Sequence, residues 1–165
     1  MLAGGKNRQL IPMEDKRALY VAVKSQLGSL AGPLVERSAA MLRDRGDFLP
    51  HAAVLCEDGR VSVLGAMCNT RDGFANSWHI MPMLHDGLRT LASEKELMAV
   101  GVAGLVDEIP GIATGTAIRI LLEHRRGFTM AIYLPFTRRP DGVFDFGAQV
   151  SVEAEPEVKV WTQGF

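Results

Sequence analysis

Cysteine is scarce in this chain: Cys56 and Cys68 are the only two in 165 residues, too few for a disulfide framework. No charge of one sign dominates. Lys plus Arg is 18 and Asp plus Glu is 19, for a net charge of -1. A dedicated polyanion binder is usually clearly basic, so nucleic acid is disfavoured as a partner. Long apolar runs are missing too. The longest, LMAVGVAGLV at Leu97–Val106, falls far short of the roughly 18 residues of a spanning helix. The opening MLAGGKNRQLIPMEDK lacks the apolar stretch of a signal peptide. These absences predict a cytoplasmic protein with reduced thiols and no membrane partner. What is present is ordinary for a globular domain, with 47% hydrophobic and 22% charged residues, in a chain about one domain long.

Residues 13–27 carry Leu19, Val23 and Leu27 at helical spacing, with Glu14 and Asp15 in the first turn, where negative charge suits the helix dipole. Gly28 and Gly32-Pro33 predict a break, and Pro33 suits the first turn of a second helix. That helix carries Leu34, Ser38, Met41 and Leu42 and stops at Gly46. HAAVLCE, Asp58-Gly59 and RVSVLGAMC then read as a hairpin around a two-residue type I′ turn. This turn pairs Glu57 with Arg60 and Cys56 with Val61. It puts Ala52, Val54, Cys56, Val61, Val63 and Met67 on a core face and His51, Ala53, Leu55 and Leu64 on the other. Cys68 then falls opposite Leu49, too far from Cys56 for a disulfide.

Residues 69–76 read as a loop. Ser77 caps a helix to about Ser93, whose Met81, Leu84, Leu88 and Leu91 face inward. Leu97–Val106 is a central strand, apolar on both faces. A loop with Pro110, Gly111 and Gly115 leads to a second hairpin over 116–136. A three-residue loop, Arg125-Arg126-Gly127, is preferred there because it gathers Ile118, Ile120, Leu122, Phe128, Met130, Ile132 and Leu134 on one face. It also puts Gly127 where a left-handed backbone is needed. Arg119, Leu121, Glu123, Thr129, Ala131 and Tyr133 fall on the opposite, more polar face. From Val150 the alternation is regular, with Val150, Val152, Ala154, Val158 and Val160 on one side. Pro156 suits an edge strand or an extended arm.

The predicted fold class is α+β: an antiparallel or mixed sheet of about five strands, with helices packed on one face and element order ααββαβββ. No βαβαβ repeat supports a nucleotide-binding doubly wound fold. Residues 1–12 read as a flexible lead-in, 13–150 as a single domain and 151–165 as the strand or arm. After the first helix, the element order is similar to that of profilin-like and roadblock or longin-like domains, an analogy that transfers no function.

The chemistry-bearing residues are sparse. His79 and His85 stand about 240° apart around a helix and share no face. There is no Cys-x-x-Cys, His-Glu-x-x-His, Gly-x-Ser-x-Gly or Gly-Lys-Ser/Thr. No metal, cofactor or catalytic residue is assigned. His51 near Cys68 makes a poor ligand pair. Glu123-His124-Arg125-Arg126 reads as a solvated hairpin tip whose Glu123 and His124 face opposite ways.

Three stretches carry a resemblance: GDFLPHAAVLCEDGRV at 46–61, AIRILLEHRRGFTMAIYLPF at 117–136 and VFDFGAQVSVEAEPEVKVW at 143–161. Together they resemble a family of small uncharacterised bacterial proteins with a Gly-x-Phe-x-Pro start, an Asp-Gly hairpin, a Leu-Glu-His-Arg tip and a Phe-Gly…Glu-Pro tail. Here His51 and Phe136 stand where the family has aromatic residues, often Phe and Tyr. The resemblance implies bacterial origin and a shared fold, and it supplies no activity.

Two functions follow as expectations. The first is a non-catalytic interaction or regulatory module that forms a homodimer, its tail either adding a strand to a neighbour's sheet or completing its own. Glu123, Arg125, Arg126, Val152, Val158 and Trp161 are its contact candidates. The alternative is a small-molecule-binding protein or enzyme with a pocket near residues 69–76 and 108–115, using Trp78, His79, Arg119 and Tyr133.

Overall fold

A computed structural model describes the backbone of residues 13–65, 77–112 and 115–161, and the side chains of residues 15–65, 80–112 and 115–161. The elements run α1 (Met13–Arg45), β1 (His51–Cys56), β2 (Val61–Gly65), α2 (Ser77–Glu94), β3 (Leu97–Val106), β4 (Ala117–His124), β5 (Thr129–Arg138), β6 (Phe144–Phe146) and β7 (Val150–Glu153). The strands form one antiparallel seven-stranded sheet in the order β2-β1-β3-β4-β5-β6, with β7 also paired to β5. The chain therefore has the α+β class expected, with more strands than about five. None of the described helices is long and apolar enough to cross a membrane.

The expected break at Gly32-Pro33 does not occur. One 33-residue helix runs straight through Pro33. Val23, Leu27, Leu30, Leu34, Ser38 and Leu42 are all buried, forming an unbroken stripe at i+3/i+4 spacing across the proline. Burying that stripe outweighs the roughly 3 kcal/mol that an interior proline costs a helix.

The two helices divide the sheet between them. Val23, Leu27, Leu30 and Leu34 of α1 share a core with Ala53, Leu55, Ala99, Ala103, Ile118, Ile120 and Leu122. Ile80, Leu84 and Leu88 of α2 pack instead on Ala52, Val54, Val100 and Val102, which alternate with the first set and so point the other way. Two glycines of β3 make room. A Cβ at Gly101 would lie 2.6 Å from Leu34 Cδ1 of α1, whereas one at Gly104 would run into Met81 Cε of α2.

The first hairpin corrects the sequence reading by one residue. Leu55 pairs with Val61 and Ala53 with Val63. The Cys56 N–H donates to the Arg60 carbonyl and the Gly59 N–H to the Cys56 carbonyl. The loop is thus Glu57-Asp58-Gly59, with Gly59 at φ 91°, and Asp58 accepts from both the N–H and the Nε of Arg60. This is a three-residue loop closed by a left-handed glycine. It moves Val61 and Val63 to the face of Ala53 and Leu55, away from Ala52 and Val54.

The second hairpin has the same construction and matches expectation. Glu123 pairs with Thr129 and Ile120 with Ile132. The Gly127 N–H bonds the His124 carbonyl, and Gly127 sits at φ 91°. Ile118, Ile120, Leu122, Met130, Ile132 and Leu134 all join the α1-side core.

The tail completes its own sheet. β7 pairs antiparallel with β5, Ala131 opposite Val152. The inward alternation then runs past Pro156 to Val158, which is fully buried in the α2-side core.

Candidate functional site

β4 and β5 present Arg119 and Tyr133 directly opposite each other, on the sheet face that α2 covers only in part. Met81 and His85, one turn apart on α2, form one wall. Gly104 and Val106 at the end of β3 form the floor, and Glu157 of the tail closes one side. The inner recess measures about 240 Å³ and is lined by Met81, His85, Val102, Gly104, Leu105, Val106, Arg119, Leu121 and Glu157. It shares Met81, Leu105, Val106 and Arg119 with a wider groove of about 820 Å³, which adds Pro82, Asp107, Glu108 and Tyr133. The absence of a side chain at Gly104 gives Met81 its place against the sheet.

The tail is fixed beside this groove by a buried carboxylate. Glu123 is 2% exposed, and its oxygens accept the backbone N–H groups of Glu157 at 2.9 Å, Val158 at 2.7 Å and Lys159 at 2.9 Å. Three consecutive N–H groups converge where the chain bends at residues 157–158, just before Lys159 takes a left-handed φ of 62°, and together they form a nest for an anionic group. Arg89 of α2 donates to the Val158 carbonyl at 2.7 Å. Arg119 pairs with the Glu157 carboxylate. Residue 157 therefore has two attachments: its main chain to Glu123 and its side chain to Arg119.

The electrostatics follow from partial burial. Burial holds the His85 imidazole below its ordinary 6.5, with Arg89 acting the same way and Glu157, Glu123 and Asp86 opposing. For Arg119, burial alone works against the charge, but the hydrogen bond and charge of Glu157 and the neighbouring Tyr133 outweigh it and raise its pKa. The groove thus offers a neutral imidazole, a fixed guanidinium, a phenol and an apolar wall. None of the lining residues is a Ser, Thr or Cys, so among the described lining residues the phenol of Tyr133 is the one hydroxyl and there is no thiol.

The sequence candidates separate clearly. Arg119 and Tyr133 meet in the groove. Trp78 and His79 lie in the first turn of α2, and their side chains lie outside the described residues, as do Cys68 and the 69–76 loop. Glu123 is not at a solvated tip. The tip begins at Arg125 and Arg126, which are exposed, and Arg125 reaches Glu57 of the other hairpin at 3.8 Å. His124 is also buried, on the α1 side, where its Nδ1 accepts the Arg126 N–H at 3.1 Å and its Nε2 meets Gln26 Oε1 at 2.6 Å. Val158 is core, while Val152 and Trp161 are half-buried. His85 and Glu157 were missed. Their signals were the one-turn spacing to Met81 and the outward parity of Glu157 in the tail.

His51 is 1% exposed on the α1 side. Its Nδ1 donates to the Leu49 carbonyl at 2.8 Å and its Nε2 faces Ser38 Oγ at 3.4 Å, a satisfied core histidine. Among the described residues no three His, Cys, Asp or Glu side chains cluster as a metal site. The chain matches no protein-family model, no curated protein and no solved structure.

Proposed function

We propose that the chain is a cytoplasmic small-molecule-binding protein whose site is the groove between α2 and the β3–β5 face. The observation that carries this reading is the half-buried Arg119, set opposite Tyr133 at the foot of an apolar wall. Sites for small ligands combine such an apolar lining with a few convergent polar groups, in volumes of about 300–1,000 Å³. The polar groups are His85, Arg119 and Tyr133. The test is native mass spectrometry of the purified protein, for a retained ligand, combined with a thermal-shift screen of small molecules. Stabilising compounds should lose their effect in Arg119→Met. A screen in which no compound discriminates wild type from that variant refutes the reading.

A second reading, self-association, is supported by a different surface from the tail. β2 ends the sheet, and among the described residues no strand pairs with its outer side. It carries no charge over Val61–Gly65, Val63 is 40% exposed, and an apolar groove of about 490 Å³ beside it is lined by Leu64, Met83, Leu88 and Leu91. Uncharged edges template pairing with another strand. A homodimer formed this way should dissociate in Val63→Lys, seen as a halved mass in light scattering. An unchanged mass in that variant, whether dimer or monomer, removes the reading.

A further inference from the structure

The side chain of Glu157 is set apart from the structure that holds its own backbone. Its N–H is fixed by the buried Glu123 carboxylate at 2.9 Å, and the neighbouring Val158 is wholly buried. The tail therefore stays in place whatever the Glu157 side chain does. That side chain is 45% exposed, while its partner Arg119 is only 21% exposed. The cation belongs to the groove wall, and the carboxylate reaches in from the rim.

Resting on the binding reading above, we infer that Glu157 is a built-in stand-in for the ligand: the groove takes a small organic carboxylate, whose anionic group displaces the Glu157 side chain from Arg119 while its apolar body lies along Met81 and Val106. A planar guanidinium matches a carboxylate through paired N–H donors, a fit that a point charge does not provide. Glu157 already shows that a carboxylate reaches this guanidinium from the groove side. The exchange is cheap, because a half-exposed ion pair is weak and the departing carboxylate turns into water. Asp107 and Glu108 at the outer end are both exposed, where salt screens their repulsion of an entering anion. Glu157 then sets a threshold: only anions whose remaining contacts exceed those of the tethered competitor are retained, and an internal rival of this kind lowers apparent affinity by holding Arg119 in the ligand-free state.

The test uses the full chain and two probes of like shape, benzoate and benzyl alcohol, each titrated against wild type, Glu157→Gln and Arg119→Met by NMR. The Arg119 Nε–H and the Val106 methyl signals report the two ends of the groove. Benzoate should bind wild type weakly, bind Glu157→Gln about fivefold more tightly, and fail to bind Arg119→Met. Benzyl alcohol should be indifferent to the Glu157 change. Unaltered or weaker benzoate binding in Glu157→Gln overturns the proposal, as does undiminished binding in Arg119→Met. If benzyl alcohol shifts Val106 while benzoate does not compete for Arg119, the groove binds ligands but not by displacement. If neither probe shifts any groove signal, the binding reading fails as well. Glu157→Gln retains the backbone bonds to Glu123, so an unchanged spectrum elsewhere confirms its fold.

Discussion

Glu123→Gln is the sharpest test of how the tail is held. The change keeps volume and shape, so packing is not disturbed. In the native chain one carboxylate oxygen takes the N–H groups of Glu157 and Val158 and the other takes that of Lys159. An amide supplies only one acceptor. With its oxygen toward Glu157 and Val158, its NH₂ meets the Lys159 N–H donor to donor. One bond is lost and a buried donor is stranded, for about 1–3 kcal/mol. The two surviving bonds lose their charge assistance, for about 1 kcal/mol more. The reverse orientation forfeits two bonds and is worse. A ceiling exists, because the chain can instead let residues 157–159 go. That exposes Val158, at about 1.5–3 kcal/mol. The expected cost is therefore about 1.5–3 kcal/mol, set by whichever route is cheaper. Denaturant unfolding measures the total, and amide hydrogen exchange tells the routes apart: release accelerates exchange at 157–159 alone. A loss below about 0.5 kcal/mol, the scale of ordinary surface substitutions, with protection of those amides intact, would refute the nest as the tail's anchor.

Three further outcomes are expected. Burial holds the imidazoles of His51 and His124 below their ordinary 6.5, so the unfolded chain binds protons that the folded chain refuses. Their stability contribution is intact above 6.5 and is lost as pH falls below it, and denaturation midpoints at about pH 7.5 and 5.5 should differ in that direction; a flat profile argues that both rings are solvated. Gly101→Ala should destabilise by about 1–3 kcal/mol by thermal unfolding, since its Cβ meets the wholly buried Leu34 and Leu122. Gly104→Ala should cost less, because only the flexible end of Met81 must move, and the reverse ranking contradicts the account of β3. Pro33→Ala should stabilise by about 1–3 kcal/mol by restoring the N–H that α1 lacks there; an unchanged or lower midpoint would mean that the proline has a role not visible in the helix packing.

Local chemistry made much of the fold legible. β3 announced itself by apolar residues on both faces, α2 by its spacing, and the second hairpin by the choice of loop that kept Ile118, Ile120 and Leu122 with Met130 and Ile132. The first hairpin misled because Asp-Gly also suits a two-residue type I′ turn, and both faces of β1 are largely apolar. With no polar face to penalise a slip, the pattern did not decide the register. The break at Gly32-Pro33 was a sound local inference overruled by the α1 stripe. Half of the groove was legible: register alone set Arg119 against Tyr133. Glu157 and His85 were not, because they arrive from a tail and a helix far away in sequence.

The sequence by itself determined α2, β3 and the strands of the two hairpins, because periodicity and turn residues act over a few neighbours; the unbroken α1 and the short β6 were beyond it. It also determined that Glu123 and His124 point to opposite faces, since a strand alternates whatever surrounds it. Only the tertiary structure decided what those faces meet. A carboxylate followed by His-Arg-Arg reads as a wet turn until three backbone N–H groups from residues 157–159 close over it. Whether a charged side chain is solvated or buried depends on the partners brought to it, and here those partners lie more than thirty residues further along the chain.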